Sequence, residues 1–207
     1  LGETFDIHAG GIDLVFPHHE NEIAQTRCCF GTPKMASIWM HNGYVSVNGE
    51  KMSKSLGNFY TVNDLLSQWP GEAIRYALLA GQYRAPLDYS IRGLTDARAS
   101  LDRLYQSLQT SRHHLQESVP PASSVLDALA DDLNTPLALS KLHELAGRLN
   151  KVQNGEEAAK IKGELIASAR LMGLLKEEPE KWFKEPVTDV SGWSHEKIET
   201  AISAREE

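Results

Sequence analysis

Cysteine is scarce in this chain: the sequence has two, Cys28 and Cys29, and they are neighbours. Adjacent cysteines cannot supply a disulfide framework, and they lack the CxxC spacing of a metal knuckle. We expect both to be reduced thiols, buried on or near a helix, as is usual for intracellular proteins. We assign them no role.

Long apolar runs and an export signal are also missing. No stretch approaches the roughly eighteen apolar residues that a membrane-spanning helix needs. The first residues, LGETFDIHAGG, have neither a basic region nor a long apolar region of the kind that signals export. The sequence therefore predicts a cytoplasmic protein without a membrane segment.

Positive charge is in deficit, with 21 Lys and Arg against 28 Asp and Glu and a formal net charge of −7. This balance argues against a protein that holds nucleic acid by bulk charge. It leaves open the binding of a structured nucleic acid through local basic patches. With 207 residues, 41% of them hydrophobic, the chain can form one large domain or two small ones, each with a core.

The first sixty residues predict an α/β layer. The runs FDIHAGGIDLVF and IWMHNGYVSV have the composition of strands that end in loops, and ENEIAQTRCCF between them has the pattern of a helix. Strands that alternate with helices indicate an α/β arrangement.

The remainder of the chain predicts helices. The stretch TVNDLLSQWPGEAIRYALLAG is helical in pattern, and a helical bundle is expected from Leu94 to about Leu175. Thr135 and Pro136 suit the N-cap and the first position of one bundle helix. The Pro- and charge-rich KEEPEKWFKEPVTDVSGW predicts a linker or a surface hairpin. The last pattern stops within a helix, which suggests a chain cut from a longer one.

Candidate ligand-binding residues concentrate in HAGGIDLVFPHHENE. Gly10 and Gly11 at a strand end would let a ligand approach the backbone, and Asp13 can accept hydrogen bonds from ribose hydroxyls. If Pro17 starts a helix, His18 and Glu22 stand four apart on one face and can share a zinc ion.

A simpler interpretation of the same stretch is a helix start. The histidines at positions 18 and 19 would then line the first turn, and Glu20 and Glu22 would favour the helix dipole.

The pentapeptide KMSKS, residues 51–55, places two ammonium groups among small side chains. Such a loop can lie over a triphosphate, with Lys51 and Lys54 where negative charge develops as pyrophosphate leaves. The alternative is a solvated basic turn, which has no need of Met52 or of the serine spacing.

These motifs together resemble the class I aminoacyl-tRNA synthetases. KMSKS, the upstream Gly11, Asp13 and His18, and the helical bundle occur in the family's order. The wording of FPHHENEIAQ, WMHNGYVSVNGEKMSKSLGNF and DDLNTP is similar to that of the cysteinyl-tRNA synthetase family.

The resemblance implies an α/β plus all-α fold. Residues 1–60 would be the C-terminal part of a Rossmann-type catalytic domain, and 61–93 a helical region that contacts the tRNA stem. Residues 94–177 would be a tRNA-binding, DALR-like bundle, and 178–207 a linker and the start of a further helix. The HIGH signature is not found in these residues, so the chain is expected to be the C-terminal part of the enzyme and catalytically incomplete on its own.

The resemblance also implies a site. One zinc ion per subunit would be held by His18 and Glu22, with two cysteine ligands upstream of residue 1. ATP, as Mg-ATP, would contact six residues, which are Gly11, Asp13, His41, Lys51, Met52 and Lys54. The two lysines would be catalytic. No site residue is assigned in GQYRAPLDYS, which departs from the family wording at Gln82 and Ala85.

The implied reaction activates L-cysteine with ATP and transfers it to the 3′ end of tRNA(Cys), in a protein expected to be monomeric. Zinc has a physical rationale here, because a shape-based pocket separates cysteine from serine by only about 1–3 kcal/mol. The candidate phosphate contacts to tRNA are Lys141, Arg148, Lys151, Lys160 and Lys162. The alternatives are a ligase that passes activated cysteine to an amino sugar, as in mycothiol synthesis, and a non-catalytic tRNA-binding module.

Overall fold

The structure is a computed structural model that describes residues 2–47, 49–52 and 59–184. It consists of two units. The first unit consists of Leu1–Phe59 and Gly81–Ser90, and the second of Tyr60–Ala80 and Ile91–Glu207. The units are interleaved along the chain, whereas the domains predicted from the sequence were contiguous, with boundaries after residues 60, 93 and 177.

The first unit contains a βαβ arrangement. Strand β1 (Phe5–Gly11) and strand β2 (Ala36–Asn42) are parallel, and helix α1 (Glu20–Phe30) lies between them in the chain. Parallel strands require such a crossover connection. The predicted strands and the predicted helix ENEIAQTRCCF are confirmed. A 3-10 turn, Ile12–Leu14, and a π-helical turn, Val15–His19, join β1 to α1.

A second small sheet completes this unit. Its strands are β3 (Val45–Val47), β4 (Glu50–Lys51) and β5 (Leu87–Tyr89), in the order β4-β3-β5. The β3–β4 pair is an antiparallel hairpin, and β5 joins β3 in parallel from the returning segment Gly81–Ser90. The side-by-side placement of β3 and β5 could not be predicted from the local pattern.

The second unit is helical, which confirms an α/β plus all-α fold class. Its helices, in chain order, are α2 (Val62–Leu66), α3 (Gly71–Leu79), α4 (Ile91–Thr110), α5 (Ser123–Ala130), α6 (Thr135–Leu149), α7 (Gly155–Leu171) and α8 (Pro179–Trp182). Apolar stripes at helical spacing pack into one core, where Leu101, Leu104, Leu142 and Leu165 are fully buried. No helix in the described ranges is long and apolar enough to cross a bilayer.

The prediction of a linker from residue 178 is wrong for its first residues, because helix α8 begins at Pro179 and Trp182 is buried. The Trp182 side chain is completely buried, stacks on Tyr105 at 4.5 Å between ring centroids, and donates from Nε1 to Asp102 at 2.7 Å. The composition suggested a surface segment because prolines and charged residues surround Trp182 and the adjacent Phe183.

Three smaller predictions also need correction. Cys28 and Cys29 lie on α1 as expected, but both are exposed, as are their neighbours Arg27 and Phe30 in the last turn of the helix. Asn134, and not Thr135, is the N-cap of α6, since its side chain accepts from the Leu137 amide. Pro17 does not open α1; it lies in the π-helical turn, and α1 begins at Glu20.

Candidate active site

The carboxyl ends of β1 and β2 lie side by side. Gly10 is opposite His41 and Gly11 is opposite Asn42 in the register of the pair. In open α/β sheets ligands bind beyond this end of the strands. A Cβ atom on Gly10 would lie 3.0 Å from two ring atoms of His19, so the glycine allows this imidazole to lie against the strand.

A cluster of imidazoles lies beside these strand ends. The ring of His19 is 4.7 Å from that of His8 and 5.1 Å from that of His41, and Trp39 lies 4.8 Å from His8. His19 Nδ1 and His41 Nε2 are 2.9 Å apart, which requires a proton on one nitrogen and a lone pair on the other. Burial lowers the pKa of His19, and the neighbouring His8 and His41 lower it further. The cluster therefore favours a neutral His19.

Glu22 on α1 faces this cluster with both carboxylate oxygens. Oε1 is 3.5 Å from His18 Nε2, and Oε2 is 2.9 Å from His8 Nε2. Despite that short distance, Oε2 is buried and has no hydrogen-bond partner among the residues that the structure describes. A buried carboxylate oxygen without a donor is costly, and a cation would remove that cost.

The donor set fits a zinc ion. Imidazole nitrogen and carboxylate oxygen are ligands of zinc, and two ligand atoms about 2.1 Å from a tetrahedral ion are about 3.4 Å apart. The 3.5 Å between His18 and Glu22 meets this requirement. One ligand atom from each of His8, His19 and Glu22 also lies within 4.8 Å of the other two. Glu22 is common to both arrangements.

The sequence reasoning did not single out His8 or His19 as site residues. The sequence contained a signal for His8, because residues 8 and 10 of a strand share one face and Gly10 was already a candidate. His19 was considered only as part of a helix start. Its burial, with 4% of its surface exposed, depends on how the chain folds back onto Gly10 of β1 and His41 of β2.

Gly11 and Asp13 lie where β1 meets the following turn. Gly11 is the last residue of β1, and Asp13 is in the 3-10 turn with its surface exposed. A Cβ atom on Gly11 would lie 2.5 Å from Asp13 Oδ1. The glycine therefore leaves room for the Asp13 carboxylate close to the strand end.

The beginning of KMSKS lies on the β3–β4 hairpin. Lys51 is in β4, opposite Ser46 of β3. Met52 follows, and its amide donates to the carbonyl of Val45 at 3.0 Å. Lys54 lies outside the described residues, so its predicted contact with the triphosphate stays a prediction.

Two of the candidate tRNA contacts have partners within the protein. Lys141 Nζ pairs with Glu144 at 2.8 and 3.0 Å. Lys162 Nζ donates to the carbonyls of Ser111 and His114 at 3.3 and 3.0 Å. The other candidates are Arg148, Lys151 and Lys160. Lys162 thus has a structural role at the end of α4.

Comparison with known proteins is consistent with both units. Residues 1–99 match the family of tRNA synthetases class I (C) catalytic domain, and residues 124–176 match the DALR domain. The chain is 56% identical to a cysteine–tRNA ligase of Paramagnetospirillum magneticum, covering 100% of this chain and 45% of that protein. It is 54% identical to a cysteine–tRNA ligase of Rhodospirillum rubrum, covering 88% of this chain and 40% of that protein. The chain thus spans less than half the length of these relatives.

Solved synthetase structures share the fold. A leucyl-tRNA synthetase of Agrobacterium radiobacter, in a ternary complex with tRNA and LeuAMS, matches with a TM-score of 0.63 at 19% identity, over 81% of this chain and 25% of that one. A Mycobacterium tuberculosis methionyl-tRNA synthetase bound by methionyl-adenylate matches with a TM-score of 0.54 at 18% identity, over 90% of this chain and 46% of that one.

A parallel-strand layer, a hairpin that carries Lys51 at the start of KMSKS, and the two family matches together define the class I aminoacyl-tRNA synthetase family. Within that class the identity to curated relatives is high over the whole chain. The chain belongs to the cysteinyl-tRNA synthetase family.

Proposed function

We propose that the full-length protein that contains this chain is a cysteine–tRNA ligase of the cytoplasm. It would activate L-cysteine with ATP and transfer the cysteinyl group to the 3′ end of tRNA(Cys). The observation that carries this proposal is the 56% identity to a cysteine–tRNA ligase over 100% of the chain. The DALR match over residues 124–176 supports tRNA as the acceptor.

The first unit would bind ATP at the ends of β1 and β2. Gly11 leaves the backbone open to the nucleotide, and Asp13 would accept hydrogen bonds from the ribose hydroxyls. His41, opposite Gly10, would lie beside the nucleotide. These contacts would hold the α-phosphate in line with the cysteine carboxylate, and this positioning is a large part of the rate enhancement.

The lysines of KMSKS would stabilise the leaving group. Negative charge builds on the β- and γ-phosphates as the bond to the α-phosphate breaks, and a positioned ammonium group lowers the energy of that state. Lys54 would make this contact, and Lys51 and Met52 would hold the start of the segment.

His18 and Glu22 would hold a zinc ion together with two cysteines of the full-length protein. Zinc held there would supply a ligand position that prefers a thiolate to a hydroxyl, which would favour cysteine over serine. The buried Glu22 Oε2, which has no hydrogen-bond partner in the described part of the chain, supports a cation at Glu22, and the 3.5 Å between Oε1 and His18 Nε2 supports His18 as a second ligand. His8 and His19 would line the same space, since one ligand atom of each lies within 4.8 Å of Glu22.

Transfer of labelled cysteine to a total tRNA pool by the full-length protein tests the proposal. We expect labelled tRNA that depends on ATP, and a much lower yield with labelled serine. Cysteine-dependent pyrophosphate exchange without labelled tRNA would instead indicate the amino-sugar ligase. Failure of both reactions, with tRNA binding retained, would indicate a non-catalytic tRNA-binding module.

A further inference from the structure

Asp88 connects two strands of the small sheet in the first unit. It lies on β5, and its Oδ1 accepts from the Ser46 hydroxyl at 2.8 Å and from the Gly49 amide at 2.9 Å. Ser46 is buried on β3, while Gly49 belongs to the turn between β3 and β4. A single carboxylate oxygen from a strand that is distant in the chain therefore holds both a strand and its turn.

The β3–β4 hairpin needs such support because it is very short. Its register contains two pairs, Ser46 with Lys51 and Val47 with Glu50. A two-stranded hairpin is at best marginally stable in water, so β3 and β4 depend on β5, both through the β3–β5 pairing and through the Asp88 side chain. Gly49 has a φ of +82°, which glycine adopts without strain but which leaves the turn conformationally free. The bond from its amide to Asp88 removes that freedom.

The hairpin leads directly into KMSKS. Past the turn, Lys51 is opposite Ser46, and the Met52 amide donates to Val45 at 3.0 Å. The chain is therefore held at Gly49, at Lys51 and at Met52 in succession. We propose that Asp88 is a positioning residue for the start of KMSKS, at Lys51 and Met52, because its carboxylate fixes the hairpin on which these residues lie. This proposal rests on the proposed function.

The charge of Asp88 strengthens this role. Hydrogen bonds from the Gly49 amide, and then from the Ser46 hydroxyl, lower the pKa of the Asp88 carboxyl. The group is therefore ionised at neutral pH, and hydrogen bonds to an ionised acceptor are shorter and stronger than those between neutral groups.

Asp88→Ala in the full-length protein tests the proposal. Misplacing a catalytic group by about 1 Å can cost up to about 100-fold, so we expect kcat for cysteine-dependent pyrophosphate exchange to fall by about 10- to 100-fold. The affinity for tRNA and the melting temperature should stay close to those of the parent. Asp88→Asn keeps an acceptor oxygen at the same place and should restore most of the rate.

Asp96→Ala is the matched control, because Asp96 is exposed on α4 and its ion pair with Arg92 is long, at 3.9 Å. It should leave exchange unchanged. An unchanged kcat in Asp88→Ala would overturn the proposal, and so would a rate that Asp88→Asn fails to restore. A loss of tRNA binding and melting temperature in parallel with the rate would also overturn it, since that pattern indicates a general folding defect.

Limited trypsin digestion separates this proposal from the proposed function. Trypsin cleaves after lysine, so cleavage after Lys51 and Lys54, mapped by mass spectrometry, reports how firmly the hairpin end is held. We expect faster cleavage at both sites in Asp88→Ala and the parental rate in Asp88→Asn and Asp96→Ala. If the parent shows no exchange but this pattern holds, the proposed reaction fails while the positioning role of Asp88 stands. Equal cleavage in all variants would contradict the positioning role.

Discussion

The two units place their apolar and polar residues in opposite ways. In the second unit, leucines from three long helices, α4, α6 and α7, are fully buried in one core. In the first unit, Ile7 of β1 and Ile38 of β2 are each 54% exposed, while His19 is 4% exposed among other imidazoles. Within a chain that spans less than half the length of its relatives, the described residues of the helical unit bury a large apolar core, whereas those of the first unit bury an imidazole beside a few apolar side chains such as Val47.

This difference predicts two kinds of mutational effect. A buried apolar side chain contributes to the free energy of unfolding, so its removal should appear in stability. A buried polar cluster at strand ends is costly to assemble, and its residues should matter for binding and chemistry more than for folding. A substitution in the helical core that lowered activity but not stability, or one in the imidazole cluster that lowered stability but not activity, would contradict this difference between the units.

Trp182→Ala should have the largest effect on stability. The substitution removes a fully buried ring that stacks on Tyr105 and leaves Asp102 without the indole donor. Truncation of such a side chain costs about 3–5 kcal/mol, and we expect a loss of that size in the free energy of unfolding. Urea unfolding of the 207-residue chain, followed by far-UV circular dichroism, measures it.

Phe183→Ala is the control for that experiment. Phe183 is the adjacent aromatic residue, but it is 41% exposed, so its removal should cost much less. Equal losses for the two variants would show that α8 does not anchor the helical core through Trp182.

Lys54→Ala should have the largest effect on chemistry. Removal of a group that stabilises developing charge typically lowers the rate by about 100- to 1000-fold, and we expect such a decrease in cysteine-dependent pyrophosphate exchange by the full-length protein. Affinity for tRNA should change little. Lys34→Ala removes an exposed lysine of the same unit and should be neutral. Exchange at the parental rate in Lys54→Ala would remove this lysine from the phosphate site.

Glu22→Ala should affect metal binding and substrate choice. The change removes the carboxylate that both candidate ligand arrangements share, and we expect zinc affinity to fall by at least about tenfold. The preference for cysteine over serine should weaken with it. Zinc content by mass spectrometry and exchange with each amino acid measure the two effects.

Glu20→Ala is the matched control for Glu22→Ala. Glu20 is exposed in the first turn of α1. Its substitution therefore removes a similar interaction between a carboxylate and the helix dipole and leaves the imidazole cluster intact. If Glu22→Ala retained zinc and the preference for cysteine as Glu20→Ala does, Glu22 would not be a ligand.

Local pattern predicted most of the secondary structure. Helix α1 and the strands before and after it were recognised because hydrophobic spacing and Gly or Pro boundaries are properties of adjacent residues. Asn134 was missed as the N-cap of α6 because Asn and Thr are both good caps and stand next to each other. The exposure of Cys28 and Cys29 was missed because it depends on which side of α1 meets the strands.

Long-range contacts account for the rest. The family motifs pointed to His18 and Glu22 as candidate ligands, and the structure places His8 and His19 beside Glu22 because β1 and the π-helical turn meet in space. Trp182 and Asp88 gave no local signal of their role. The hydrogen-bond partners of Asp88 and Trp182 lie 42 and 80 positions away in the sequence, a separation that periodicity over short windows does not report.

The return of residues Gly81–Ser90 to the first unit affects the order in which the protein can fold during synthesis. Until β5 is made, β3 has β4 as its only neighbour in the sheet, with two residue pairs. Helices α2 and α3 precede β5 in the chain, so they leave the ribosome before the small sheet can close. Domains generally fold in the order of their synthesis. Here the N-terminal unit is completed only after the first helices of the other unit have been translated.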